Sequence, residues 1–206
     1  MSETLHVPLP FVPVSHAIRQ EIVVLEDAFT REEVDHIESM LSMCQLEEAR
    51  VGPSPEQGVY HDRRRSRIAW IAYEPDNELS VWLYSKLIRQ VQRANLFLGL
   101  DVWGFAEPLQ YAVYGPQGHY CWHKDSGIAH GEPARAPRKI SFTLQLSDQS
   151  EYADGELQFL LDEKFTAPKK RGSMILFPSY TPHRVDFVTA GERRSLVGWV
   201  AGPDFV

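Results

Sequence analysis

After Trp103 the side chains of this chain alternate with period two, in short stretches broken by turns. Period two belongs to strands with one buried face. The stretches fall at about 107–114, 119–125, 138–146, 156–160, 173–178, 183–188 and 193–200. Several short strands after a helical first half predict a mostly β fold with supporting helices, its core a double-stranded β-helix or jelly roll.

The first hundred residues read as the support. Pro8, Pro10 and Pro13 mark an extended arm over 1–20, and 21–26 reads as a short buried strand. Thr30 followed by Glu33 is a capping box, and Val34, Ile37, Met40, Leu41 and Cys44 keep helical spacing, so a helix is expected over about 31–48. Gly52, Pro53, Pro55 and Gly58 make 50–62 a loop, and 66–73 reads as a strand. A second helix is expected over about 77–98, capped by Asp76 or Asn77 and ended by Gly99. Both helices are expected on the outside of a sheet. The chain has 206 residues, 43% of them hydrophobic, with no repeat or low-complexity linker. One domain over 1–206 is expected, 1–100 as support and 101–206 as the core that carries the chemistry.

Within that second half, His123 and Asp125 stand two residues apart. On a strand they point to one face, so an imidazole and a carboxylate can reach one metal ion. A third ligand must come from elsewhere, and His183 is the best candidate. Two histidines and a carboxylate on one face of an octahedron are the ligand set of non-haem Fe(II) oxygenases. An isolated H-x-D arises often by chance, so the residues after His183 matter. Arg193 lies ten positions on, and Ser195 shares its strand face, whereas Arg194 faces the other way. A guanidinium fork and a hydroxyl suit the far end of a buried dicarboxylate.

These residues carry a resemblance. The chain resembles the Fe(II)/2-oxoglutarate-dependent dioxygenases, in their prolyl-4-hydroxylase-like branch, and most of all the bacterial PKHD-type hydroxylases. The matching pieces are Tyr114-Gly115-Pro116, Gly118, Tyr120 and His123-Lys124-Asp125; Lys139-Ile140-Ser141; Leu146-Ser147-Asp148, Tyr152 and Gly155-Glu156-Leu157; and His183-Arg184-Val185, Val188-Thr189 and Gly191-Glu192-Arg193. Two departures are Ala153-Asp154, where the family often has glycine, and Asp186-Phe187, where it often has Thr-Pro. The resemblance implies an iron enzyme that hydroxylates an unactivated C–H bond, most readily of a prolyl or amino-acid-type substrate, and releases succinate and CO2. It implies His123, Asp125 and His183 as the catalytic metal ligands and Arg193, aided by Ser195, as the anchor of the co-substrate's far carboxylate. Tyr114 and Gln145 are implied as further co-substrate contacts, though Tyr114 reads equally as a core tyrosine. Ser141, Thr143 and Gln145 form one polar strand face, toward either the pocket or solvent. Fe(II), 2-oxoglutarate and O2 are the implied cofactor and co-substrates, with ascorbate a candidate accessory. Asp125 implies hydroxylation, since related halogenases carry a small residue in its place.

Composition limits the alternatives. Lys and Arg total 21 against 28 Asp and Glu, a net charge of −7, which opposes nucleic-acid binding. The basic runs Arg63-Arg64-Arg65 and Lys169-Lys170-Arg171 read as solvated loops, although by analogy to relatives residues 62–65 can gate the pocket mouth. Cys44 and Cys121 make no disulfide framework. Cys121 alternates to the His123 face and reads as a small buried hydrophobe. His119 and His123 are spaced as in a zincin helix, but Tyr120 stands where its glutamate belongs, and Pro116 and Gly118 oppose a helix. His130 reads as surface, Trp122 and Trp199 as core, and 126–137 as a lid or a plain excursion. The first residues lack a signal-peptide pattern and no run approaches a membrane span, so a cytoplasmic location is expected. The expected partner is a small-molecule or peptide substrate, with no nucleic acid or membrane; the oligomeric state is not readable. Two other classes compete with the hydroxylase: a non-catalytic jelly-roll binding module with a vestigial metal site, and a nucleic-acid demethylase of the same superfamily.

Overall fold

Antiparallel pairing organises the residues described by this computed structural model, 21–49, 60–126 and 137–204, into facing sheets. The expected arm over 1–20, most of the 50–62 loop, and most of the 126–137 segment with His130 lie outside the described residues. In chain order the first elements are β1 (Val23–Leu25), α1 (Arg31–Leu41), β2 (Glu47–Glu48), β3 (Arg64–Arg65), β4 (Arg67–Ile71) and α2 (Glu78–Leu98). Then come β5 (Gly104–Phe105), β6 (Leu109–Tyr114), β7 (His119–His123), β8 (Arg138–Gln145) and β9 (Tyr152–Asp154). The last are β10 (Leu157–Leu160), β11 (Lys164–Thr166), β12 (Met174–Pro178), β13 (His183–Val185), β14 (Val188–Gly191) and β15 (Arg193–Ala201).

The large sheet runs β1-β12-β8-β15-β6-β4-β2, with β5 also on β15; the small sheet runs β11-β10-β13-β7-β3. This is the expected jelly roll. Alternation along the large sheet divides its residues between two layers. Phe142, Leu144, Leu109, Tyr111 and Leu196 face the helices, where Val34, Ile37, Leu41, Leu83, Leu87 and Leu98 meet them in one apolar core. Ala112, Tyr114, Ile175 and Phe177 face the small sheet and meet Leu157, Phe159 and Val185 in a second. The helices therefore back the large sheet, and the space between the sheets is left to a mixed apolar and polar lining.

The caps form as their residues dictate. Thr30 and Glu33 make both bonds of a capping box, and Asn77 Oδ1 accepts from Leu79 and Ser80 N–H. Gly99 ends α2 in the left-handed conformation at φ 62. The first helix stops at Leu41, short of the expected 48, because Glu47 and Glu48 turn out to extend the sheet against Ile68 and Arg67. No glycine or proline between 42 and 48 announces that stop. The expected 183–188 strand splits into β13 and β14 at Asp186-Phe187, and the two halves pair with different partners. Asp154 takes φ 58 beside Gly155 at φ 68. An aspartate tolerates the left-handed region better than most residues, so the turn forms without a glycine at 154.

The basic run at 169–171 is not a solvated loop. Lys169 pairs with Glu156, and Lys170 pairs with Asp27. Arg171 is half-buried; it bonds Asp35 Oδ1 at 2.6 Å, Glu38 Oε2 at 2.5 Å and the Leu146 carbonyl at 2.6 Å, tying the turn before β12 to α1. Gly172 completes the tie, because a Cβ there would lie 2.3 Å from the Phe29 carbonyl oxygen. Removing Arg171 loses three charge-assisted hydrogen bonds that solvent partly screens. Arg171→Ala is therefore expected to lower unfolding free energy by about 1–2 kcal/mol in urea titration, while Lys170→Ala leaves the midpoint in place. Equal effects of the two would contradict the tie.

Candidate metal centre

Register brings the two histidines together. In the β13–β7 pair His183 lies directly opposite His123, and their rings are 4.2 Å apart. His123 Nδ1 faces the Cys121 carbonyl at 2.8 Å and His183 Nδ1 faces the Thr181 carbonyl at 3.0 Å. A carbonyl can only accept, so each Nδ1 carries the proton and each Nε2 keeps its lone pair. Backbone carbonyls in this role fix both tautomer and ring orientation.

Asp125 arrives differently from expectation. The strand ends at His123, so the carboxylate does not share a strand face with it. Instead the Asp125 and Ser126 N–H groups both donate to the Ser179 carbonyl at 2.9 Å, and this clamp folds the chain back over the histidines. Asp125 Oδ1 then lies 3.6 Å from His123 Nε2, and Oδ2 lies 3.6 Å from His183 Nε2. Those separations are too long for hydrogen bonds; they suit donors sharing one ion through bonds of about 2.1 Å. Among the described residues, these three side chains form the group of metal-ligating atoms, all within 4.8 Å of one another.

Electrostatics act in the same sense at His123 and Asp125. Burial pushes the His123 imidazole below its ordinary range, and His183 adds to the effect. Burial alone would raise the Asp125 carboxyl, but His183, His123 and Arg138, with a hydrogen bond from Ser141, outweigh it and hold it low. A neutral imidazole and an ionised carboxylate are the forms that ligate metal.

The inward face of β8 leads away from this group. Ser141, Thr143 and Gln145 are all buried between the sheets and do not face solvent. At the far end Arg193, 1% exposed, donates from Nη2 to Gln145 Oε1 at 3.0 Å and from Nη1 to Ser195 Oγ at 3.2 Å. Gln145 Nε2 donates to the Pro168 carbonyl, which turns Oε1 toward the guanidinium. Tyr114 lies opposite Arg193 in the register, its ring centroid 5.5 Å from Cζ. Arg193 Nε is buried with no hydrogen-bond partner, and among the described residues no carboxylate pairs with Arg193. A buried guanidinium with only neutral partners calls for an anion from outside the chain. Arg194 faces the other way and pairs with Glu38 and Glu151.

Residues 109–201 match the family model described as the 2OG-Fe(II) oxygenase superfamily. Over that stretch the chain is similar to the superfamily. It is 37% identical over 102 residues to a PKHD-type hydroxylase of Hyphomonas neptunium, covering 47% of this chain and 46% of the relative. It is 38% identical over 93 residues to one of Crocosphaera subtropica, covering 45% and 41%. The chain thus spans under half the length of the curated relatives it matches. A solved prolyl-4-hydroxylase of Pseudomonas putida aligns with TM-score 0.70 at 21% identity over 92% of this chain and 96% of that one. A prolyl hydroxylase from Trichoplax adhaerens, solved with a hypoxia inducible factor oxygen degradation domain peptide fragment, aligns with TM-score 0.67 at 18% identity, covering 88% and 84%. At these identities the solved structures speak for the fold. The Fe(II) and 2-oxoglutarate that the superfamily's description implies fit the residues present: a two-histidine, one-carboxylate group at one end and an orphaned buried guanidinium at the other.

Other expected residues fall elsewhere. His119 is buried, bonded to the Gln117 and Asp62 carbonyls and stacked on Phe187 at 4.2 Å, so it is structural. Cys121 is exposed and directs Sγ to the Asp62 carbonyl, so it is not a buried hydrophobe. Trp122 is 39% exposed under Arg184 and is not core, whereas Trp199 is buried under Arg138. Arg64, expected in a solvated or gating loop, is buried. Its one sequence signal is that Arg64-x-Ser66 repeats Arg193-x-Ser195.

Outer-shell changes alone typically cost metal sites about 10–100-fold in affinity. Loss of a ligand, by His183→Ala or Asp125→Ala, is expected to exceed that in Mn(II) titration followed by EPR. Cys121→Ser is expected to bind like the parent. Unchanged binding in His183→Ala would contradict the triad.

Proposed function

We propose that this chain is an Fe(II)- and 2-oxoglutarate-dependent dioxygenase that hydroxylates an unactivated C–H bond of a prolyl or other amino-acid-type substrate. The balance is R–H, 2-oxoglutarate and O2 giving R–OH, succinate and CO2. The observation that carries the reading is the pairing, in one inter-sheet space, of the His123, Asp125 and His183 group with the unneutralised Arg193 guanidinium. The names of the PKHD-type relatives support the reaction class.

His123 Nε2, His183 Nε2 and an Asp125 oxygen would hold Fe(II), which supplies the dioxygen chemistry when bound. The chain's own residues do the rest. Arg193 meets the far carboxylate of 2-oxoglutarate with a planar fork, and Ser195 and Gln145 fix that fork in place. Ser141 and Gln145 lie four residues apart on β8, on the order of 13 Å. A five-carbon diacid and an arginine side chain together can span that interval. Phe159 and Phe177 pack against His183, at 5.9 and 4.6 Å between ring centroids, and exclude water from its side of the group. Residues 1–206 act as one unit in this proposal, the helices holding the sheet that carries Arg193.

The net charge of −7 and the ion pairing of Lys169, Lys170 and Arg171 argue against the nucleic-acid demethylase. Among the described residues no helix is long and apolar enough to cross a membrane. A cytoplasmic site, with ascorbate as an optional reductant, completes the proposal.

Protein supplied with Fe(II), 2-oxoglutarate and a library of metabolites and peptides is expected to form succinate together with a product heavier by one oxygen. Labelled O2 should place one atom in each. Arg193→Met should raise the half-saturating 2-oxoglutarate concentration about thirtyfold or more, the loss expected for one partner of a buried charge pair; Arg194→Met should not. A chain that binds metal yet forms no succinate with any library member would support the non-catalytic binding module instead.

A further inference from the structure

Two described arginines are buried, Arg193 and Arg64, and they are built alike. The arginines of ordinary ion pairs here, among them Arg67, Arg138, Arg171, Arg184 and Arg194, each meet a carboxylate. Among the described residues Arg64 meets only neutral acceptors. Its Nε donates to Ser66 Oγ at 2.9 Å, its Nη2 donates to Gln110 Oε1 at 2.8 Å, and its Cζ lies 4.7 Å from the Tyr120 ring centroid. Arg193 has the same set: a serine two residues on, a glutamine from the large sheet and a tyrosine ring. The serine and glutamine orient each fork without neutralising it, which leaves a desolvated cation in want of an anion.

Placement separates the two. Arg193 stands by Gln145, at the far end of the β8 face. Arg64 belongs to β3 of the small sheet, yet it reaches Gln110 on β6 of the large one, so it crosses the space between the sheets. Tyr120, on which it lies, also stacks on His123 at 3.5 Å between ring centroids. Arg64 therefore sits one aromatic ring from the metal ligands.

We propose that Arg64, with Ser66, Gln110 and Tyr120, is a second carboxylate seat, and that the prime substrate is a carboxylic acid whose carboxylate docks there. The acid is either a free amino-acid-type molecule or the C-terminal residue of a peptide. This rests on the proposed function for the identity of the neighbouring reaction, and it narrows that reaction's substrate to carboxylate-bearing molecules. A planar fork donating to two carboxylate oxygens would fix the acid's orientation beside the metal.

The test uses Mn(II)-loaded protein with 2-oxoglutarate for binding, by ligand-observed NMR, and Fe(II)-loaded protein for turnover, by mass gain of one oxygen. The probes are free L-amino acids, their carboxamides, and short peptides with free or amidated C-termini. Acids are expected to exceed the matching amides by about thirtyfold or more, and Arg64→Gln should abolish that difference while the 2-oxoglutarate half-saturation stays within about twofold. Arg64→Lys, which keeps the charge but not the fork, should restore part of it. Preference for free amino acids over free-ended peptides would assign the small-molecule source, and the reverse the peptide end. Equal use of acids and amides by the parent protein would overturn the proposal, as would a difference that survives Arg64→Gln. So would a rise in 2-oxoglutarate requirement caused by Arg64→Gln and not by Arg193→Met. If the parent protein forms no succinate, the proposed function fails, yet an Arg64-dependent preference for acids in the binding titration still upholds the seat.

Discussion

The antiparallel pairing of His183 with His123 is the contact on which the site depends. It joins β13 to β7 in the small sheet and turns both Nε2 atoms toward one carboxylate. A slip of one residue would send every side chain of β13 to the opposite face. The Ser179 carbonyl places the Asp125 carboxylate by holding two successive N–H groups, of Asp125 and Ser126. Ser179 is itself tied to β8, through its N–H to the Lys139 carbonyl and its hydroxyl to Ser141. The carboxylate is thus fixed between the two sheets, and the candidate metal group depends on their docking.

A division of labour makes this polar interior tolerable. Helix burial against the large sheet provides most of the apolar core, from Val34 and Ile37 to Leu83, Leu87, Phe142 and Leu144. The inner face of the same sheet is released from that task at one end and carries Ser141, Thr143, Gln145, Arg193 and Ser195. A buried guanidinium without a counter-ion destabilises the fold, so its retention points to an anion that binds it.

Much of this can be read from the chain because it is local. Alternation separates Arg193 from Arg194, and it gathers Ser141, Thr143 and Gln145 on one face. Capping chemistry gives the first turn of both helices. What cannot be read depends on distant partners. Asp125 reaches the histidines through Ser179, fifty-four positions away. The end of α1 is set by an edge strand that recruits Glu47 and Glu48. Arg64 and Arg171 lie within basic runs that look solvated, and only distant partners, Gln110 for the one and Glu38 for the other, draw the charge inward. A run of like charges carries no mark of which member turns inward.

The central claim is that His123, Asp125 and His183 at one end, and Arg193 at the other, hold a single 2-oxoglutarate molecule. Anaerobic addition of 2-oxoglutarate to the Fe(II)-loaded protein, followed by visible absorption, tests it most directly, since a 2-oxo acid on Fe(II) gives a charge-transfer band that succinate does not. The account predicts a saturable band with 2-oxoglutarate that is absent with succinate and needs far more co-substrate in Arg193→Met. No band, or an identical titration in that variant, would contradict it.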